Sequence, residues 1–236
     1  IVDPALVMTV PGFVTADTGM DVLTHAVEAY TSTLANDYTD GLALQAIKLV
    51  FENLESSVKN GDFVSREKMH NASTMAGMAF ANAFLGMSHS MAHKVGGFFH
   101  TVHGRTNAIL LPYVIRYNGT RPAKAATWPK YNYYRADEKF QDIARMLGLP
   151  SSTPEEAVDA LAKAVYELGE RVGIEMNFKA QGVDEKEWKE TIHEIALLAY
   201  EDQCSPANPR LPMVAHMEEI LADAYYGYAA RPGRLK

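Results

Sequence analysis

Two short stretches of this 236-residue chain carry the side chains most able to do chemistry: Asp21 with His25, and a run of imidazoles at His89, His93, His100 and His103. Asp21 and His25 stand four positions apart, a spacing that stacks both on one helix face with about 5–6 Å between Cβ atoms. One carboxylate with several imidazoles suits Fe2+ or Zn2+ at about 2.0–2.2 Å, whereas Mg2+ and Ca2+ favour all-oxygen shells. An Asp–His pair at this spacing is also an ordinary hydrogen-bonded helix pair; the second cluster is what favours an ion. Spacing leaves open which of the later histidines take part, and on a helix it would group His89 with His93.

The remaining polar candidates read more simply. His70 and His193 lie among charged neighbours and read as solvated, and His216 as helix surface or a polar contact. Met75, Met78, Met87 and Met91 recur at helical spacing and read as core filling. Cys204 alone reads as a buried small hydrophobe, and Asn208-Pro209-Arg210 as a turn.

The elements that must position these groups are helices. Ile1–Val10 alternates weakly around Pro4 and predicts a strand or an extended lead-in. Thr15 or Thr18 can cap a first helix running to Tyr30, and apolar periodicity predicts a second from Asp40 to Lys59, closed by Asn60-Gly61. Ser65–Leu85 is dense in Ala, Gly, Ser and Met, as expected of a helix threaded through a bundle centre. Gly96-Gly97 interrupts the next helical stretch, placing His103 at a helix boundary, and Asn107–Tyr117 is apolar again. A long connection rich in Pro, Tyr and Trp spans Gly119–Arg135. Later helices start at the capping box Thr153-Pro154-Glu155-Glu156 and at Asp184, and the last runs from near Pro212 to Tyr226-Gly227. The fold class is therefore all-α, a helical bundle with a short extended N-terminal lead-in.

Composition narrows the function classes. A net charge of −7 argues against nucleic acid or an anionic membrane as the main partner. No apolar run is long enough for a membrane span. The single cysteine excludes an internal disulfide framework and fits a reducing cytoplasm. A start at Ile1-Val-Asp-Pro, without Met or signal peptide, reads as a piece of a longer protein.

Several motifs resemble one family. Thr18-Gly-Met-Asp-Val-Leu-Thr-His-Ala-Val-Glu-Ala-Tyr30, Gly86-Met-Ser-His-Ser-Met-Ala-His93 and His103-Gly-Arg-Thr-Asn-Ala108 resemble the signatures of the iron-containing (group III) alcohol dehydrogenases. The resemblance runs on through Leu111–Asn118 to Asn208-Pro209-Arg210 and covers most of the chain. Ala126–Tyr131, Ala136-Asp137, Cys204–Arg210 and Asp223–Gly227 look like the alcohol dehydrogenase half of bifunctional aldehyde–alcohol dehydrogenases.

That resemblance implies metal ligands at Asp21, His25, His89 and His103, and a non-ligand histidine beside nicotinamide and substrate at His93. It also implies substrate-pocket walls at Phe80 and Cys204, and Fe2+ (or Zn2+) with NAD(H) as cofactors. The expected reaction is acetaldehyde reduction to ethanol, His93 relaying a proton or packing against the nicotinamide. In such enzymes a dinucleotide-binding α/β domain precedes the helical one, and no Gly-rich phosphate loop occurs in this sequence. Residues 1–12 then form the lead-in from that domain, 13–227 the metal-binding domain, and 228–236 a tail of vector origin. Expected partners are the dinucleotide-binding domain, a small aldehyde or alcohol, and further copies in an oligomer or filament. Two rival classes remain: a metal-dependent hydrolase, which needs a further carboxylate-rich shell, and a filament-contact module using the Tyr-rich segment 113–134.

Overall fold

The described chain starts with a turn. Asp3 accepts from the Ala5 N–H at 2.9 Å and caps a 3-10 helix over Pro4–Val7, where an extended lead-in was expected. Proline early in this segment presets a helical φ and lacks an N–H to orphan, which favours the turn over a strand. The protein is seen here in a computed structural model that describes residues 2–122 and 134–227, and among these no strand occurs.

α1 spans Gly12–Thr31 and starts after Pro11 rather than at either threonine. Thr15 and Thr18 lie inside the helix, their hydroxyls donating back to Pro11 O at 3.1 Å and Val14 O at 2.8 Å. α2, Asp37–Lys59, begins three residues before the expected Asp40, because Asn36 and Thr39 form a reciprocal capping box. α3, Phe63–Ala83, is capped by Asp62 and buries one face through Met69, Ala72, Ala76, Ala79 and Ala83. The small residues bring α3 close against α1 and α2 at the side of the bundle, not through its centre. Met78, expected in the core, is 53 % exposed on its outer face.

α4 runs unbroken over Met87–Phe99, so Gly96-Gly97 do not interrupt it. Each glycine costs a helix interior about 1 kcal/mol, and the buried face of Met87, Met91 and Val95 outweighs that. The break falls at His100, in the left-handed region at φ 53°. α5, His103–Gly119, is the central helix. Ala108, Leu111 and Ile115 join a core with α1, α2, α3, α6 (Ala136–Met146) and α7 (Pro154–Arg171). Ile109, Leu110, Tyr113, Val114 and Tyr117 face the other way, into a core with α4, α8 (Glu185–Tyr200) and α9 (Val214–Tyr226). Trp188, Phe178 and Tyr225 fill the middle of that second core.

Of the Tyr-rich segment 113–134, residues 123–133 lie outside the described residues, as does the tail 228–236. Tyr113 and Tyr117 are buried in α5, and the Tyr134 hydroxyl donates to Asn118 O, so these three rings serve the interior. No described helix is long and apolar enough to cross a membrane.

Candidate metal centre

The seam between the two cores is where α1, α4 and α5 bring their polar residues together. Asp21 and His25 project from the middle of α1, and their side chains lie 3.8 Å apart (Asp21 Oδ2 to His25 Nδ1). His89, in the first turn of α4, reaches Asp21 Oδ1 with Nε2 at 3.7 Å. His103, the first residue of α5, places its Nε2 at 3.6 Å from the same oxygen. One donor atom each from Asp21, His25 and His89 falls within 4.8 Å of the others. The His25 and His89 rings lie 4.4 Å apart, and those of His89 and His103 5.4 Å apart.

His89 shows whether this set fits a cation. Its Nδ1 meets Glu28 Oε2 at 2.6 Å. The same carboxylate accepts the Ser88 N–H at 2.7 Å on Oε1 and the Gly86 N–H at 3.0 Å on Oε2. With every other neighbour donating, the ionised carboxylate takes the His89 N–H as well, which leaves the lone pair on Nε2. That nitrogen is buried and has no hydrogen-bond partner among the described residues. Leaving a buried acceptor unmet costs about 1–3 kcal/mol, and a divalent ion is the partner that Asp21, His25 and His89 would serve together; His103 stands outside that trio, with its Nε2 3.6 Å from Asp21 Oδ1. The residues fit.

Glu28 went unread in the sequence, although it sits three residues past His25 and seven past Asp21 on the same face of α1. Asn107 is a second such residue: fully buried, it donates from Nδ2 to Asp21 Oδ1 at 2.8 Å and lies 3.1 Å from His103 Nε2. A turn before Asp21, Asp17 is 4 % exposed and receives Arg105 on both oxygens, at 2.9 and 3.0 Å. That bidentate pair pins the start of α5 to α1 beside His103. Gly104 permits the approach: a Cβ there would stand 2.2 Å from Asp17 O.

Burial, reinforced by the neighbouring His89, lowers the His25 imidazole to about 4 despite Asp21 and Glu28. Burial also lowers His103, against the pull of Asp21. Both rings are thus held in the neutral form that ligates metals. Phe80 stacks on His25, with centroids 4.5 Å apart and planes at 18°. Together with Asp21, His25, Val14 and Thr18 it lines a cleft of about 540 Å³. His70, expected in solvent, lines this cleft as well.

The other predicted residues divide. His93 is not part of the Asp21 group. Its ring stacks on His103 at 5.4 Å, and its Nδ1 meets Asp202 Oδ2 at 3.2 Å. Cys204 is not among the cleft walls around Phe80 and lies instead beside Asp202 and His93. Burial, then the Asp202 charge, pushes its thiol up to about 12. His100 ends α4 and lines a separate hollow with Phe98, Phe99 and Arg105. His193 is exposed and pairs with Glu218, while His216 Nδ1 meets the Tyr117 hydroxyl at 2.9 Å, the polar contact expected.

The all-helical fold matches one class, the helical domain of iron-containing alcohol dehydrogenases. Residues 15–225 match the C-terminal part of the Fe-containing alcohol dehydrogenase family, and the chain belongs to that family. It is 84 % identical over 236 residues to the aldehyde-alcohol dehydrogenase of Streptococcus pneumoniae serotype 2 (strain D39 / NCTC 7466), covering all of this chain and 27 % of that protein. To the bifunctional aldehyde-alcohol dehydrogenase of Escherichia coli K12 it is 42 % identical over 232 residues, covering 96 % of this chain and 26 % of that one. The iron-containing alcohol dehydrogenase of Thermococcus thioreducens superposes with a TM-score of 0.82 at 36 % identity, covering 97 % of this chain and 55 % of that structure. The chain thus spans about a quarter of the length of the curated relatives and about half of the solved one.

Proposed function

We propose that this chain is the metal-holding helical part of an NAD-dependent alcohol dehydrogenase that reduces acetaldehyde to ethanol. The nicotinamide would be carried by a dinucleotide-binding segment outside this sequence. The observation that carries the reading is the buried, unpartnered Nε2 of His89, turned toward Asp21 with His25 and His103 beside it. Asp21, His25, His89 and His103 would hold Fe2+, or Zn2+, which accepts the same donors. Such an ion, when bound, supplies Lewis acidity toward a carbonyl oxygen. The identity to proteins named aldehyde-alcohol dehydrogenase supports the substrate class.

The protein's own residues divide the remaining work. Glu28 fixes the His89 ring so that Nε2 faces the site. Asn107 and the Arg105–Asp17 pair hold Asp21 and the first turn of α5 in register. Phe80 walls the cleft against His25 and favours a small, largely apolar substrate. Turning an aldehyde into an alcohol needs a proton at oxygen, and His93, 33 % exposed at the rim, can pass one between the site and solvent. The surrounding setting is a reducing cytoplasm, consistent with one buried free thiol at Cys204.

The test is elemental analysis of the chain purified anaerobically. His103→Ala loses bound metal, while His93→Ala keeps the wild-type stoichiometry. Retention of metal by His103→Ala sinks the ligand assignment. NADH oxidation with acetaldehyde by this chain alone is expected to be absent, and robust turnover would show that the nicotinamide site lies within it.

A further inference from the structure

Beside the metal centre lies a second cluster built around a buried carboxylate. Asp202 is 7 % exposed and follows the last turn of α8. Its Oδ1 accepts the Cys204 N–H at 3.0 Å; its Oδ2 accepts Lys94 Nζ at 2.8 Å and meets His93 Nδ1 at 3.2 Å. His93, Asp202 and Cys204 have donor atoms as close together as a metal site requires. The cluster is nevertheless filled by the protein's own donors: Lys94 Nζ and the Cys204 N–H already occupy the carboxylate, and burial pushes the Cys204 thiol up to about 12.

We propose that Asp202 is the positioning residue for His93, holding the ring with its proton on Nδ1 so that the Nε2 lone pair is left for the site. This rests on the role given above to His93. Burial alone would raise the Asp202 carboxyl, but hydrogen bonds from Lys94, the Cys204 N–H and His93 outweigh it and hold it below its ordinary value. An ionised carboxylate only accepts, so the His93 Nδ1 must donate. Lys94 and His93 are neighbours in sequence, and Asp202 anchors both from the far side of the α4–α8 contact. A half-exposed imidazole otherwise samples several rotamers and both tautomers; here one of each is selected.

An amide cannot replace this acid. Turned one way, the side chain introduced by Asp202→Asn would set its NH2 against the Cys204 N–H. Turned the other way, the NH2 faces His93 Nδ1, which must then accept, and the ring proton moves to Nε2. Lys94, 28 % exposed, can withdraw into solvent, so the second orientation is favoured.

The experiment is two-bond 1H–15N correlation on the chain labelled with 15N-histidine and loaded with Zn2+, a diamagnetic ion. It is run at about pH 8, above the ordinary imidazole range, with His93 assigned by its loss in His93→Gln. The wild type is expected to show His93 protonated at Nδ1. Asp202→Asn should move the proton to Nε2 while zinc stoichiometry and the other histidine signals stay unchanged. Wild-type His93 protonated at Nε2, or an unchanged tautomer in Asp202→Asn, overturns the assignment. The wild-type spectrum decides even if the variant does not fold. Zinc content reports separately on the metal centre, so failure of that reading and failure of this one are distinguishable.

Discussion

Two clusters, with the His93 ring of one standing 6.2 and 5.4 Å from the His89 and His103 rings of the other, use nearly the same side chains for opposite ends. Around Asp21, three imidazoles converge, and among the described residues no Lys or Arg pairs with that carboxylate and one ring nitrogen is left without a partner. Around Asp202, one imidazole meets a carboxylate already claimed by an ammonium and a backbone N–H. The difference teaches that residue types in proximity do not make a metal site. What decides is whether the donors' lone pairs are left free or are already spent on protons.

The largest test of that contrast is Glu28→Ala. It strips the Gly86 N–H, the Ser88 N–H and His89 of their common acceptor in a site 3 % exposed. Breaking a buried charged network from one side costs about 3–5 kcal/mol, readable as a fall in the urea midpoint at unchanged slope. The milder Glu28→Gln should keep the fold and weaken zinc binding about 10–100-fold in a chelator competition; unchanged affinity would mean Glu28 does not tune the centre. Next comes Gly104→Ala, whose methyl would collide with Asp17 O. Overpacking of this kind costs about 1–3 kcal/mol, and metal affinity should fall with stability because His103 moves with the helix start.

Acid should separate the two clusters. In the metal-free chain the His25 imidazole is lowered from 6.5 to about 4, so the unfolded state binds the proton first. Stability is therefore full above about pH 6.5 and declines as the pH falls toward 4, and lowered His103 contributes in the same direction. The Asp202 carboxyl is lowered from 3.8, so its contribution persists above that value and is lost only as the pH falls through its lower folded value. Urea melts from pH 8 to pH 4 should fall along this course, and a flat profile would break the account of His25. The smallest effect is that of Lys94→Met. It should cost on the order of 1 kcal/mol and leave one ion per chain, since His93 Nδ1 and the Cys204 N–H still occupy the Asp202 carboxylate. A second ion appearing in that variant would refute the contrast as drawn.

Most of the helices were legible because their signals are local. Thr153 with Pro154, and Asp184, cap α7 and α8 as read, although Glu156 accepts the Ser152 N–H instead of closing the expected box on Thr153, and apolar spacing announced α2. The misplacements share a cause. Small residues in α3 permit close packing but do not say on how many sides, and α3 is buried on one. Gly96-Gly97 weaken a helix without ending it when the opposite face is anchored. The role of α5 as the shared wall could be seen only with both cores assembled.

The centre divides in the same way. Asp21 and His25 are readable from one helix, but choosing His89 over His93 depends on Glu28 and Asp202, which lie 61 and 109 residues away from them in the chain. Spacing would have grouped the two imidazoles together; their long-range partners separate them. Asn107 and Asp202 carry no local mark at all.

The double-sided burial of α5 has a consequence for how the molecule comes apart. Neither core can melt without stripping a wall from the other, so heat should dissolve both in one transition rather than peel away a stable half. His103 heads that shared helix, which makes the integrity of the proposed cradle a readout of the whole architecture: loosening the distant Trp188 packing should register as bound metal that escapes sooner.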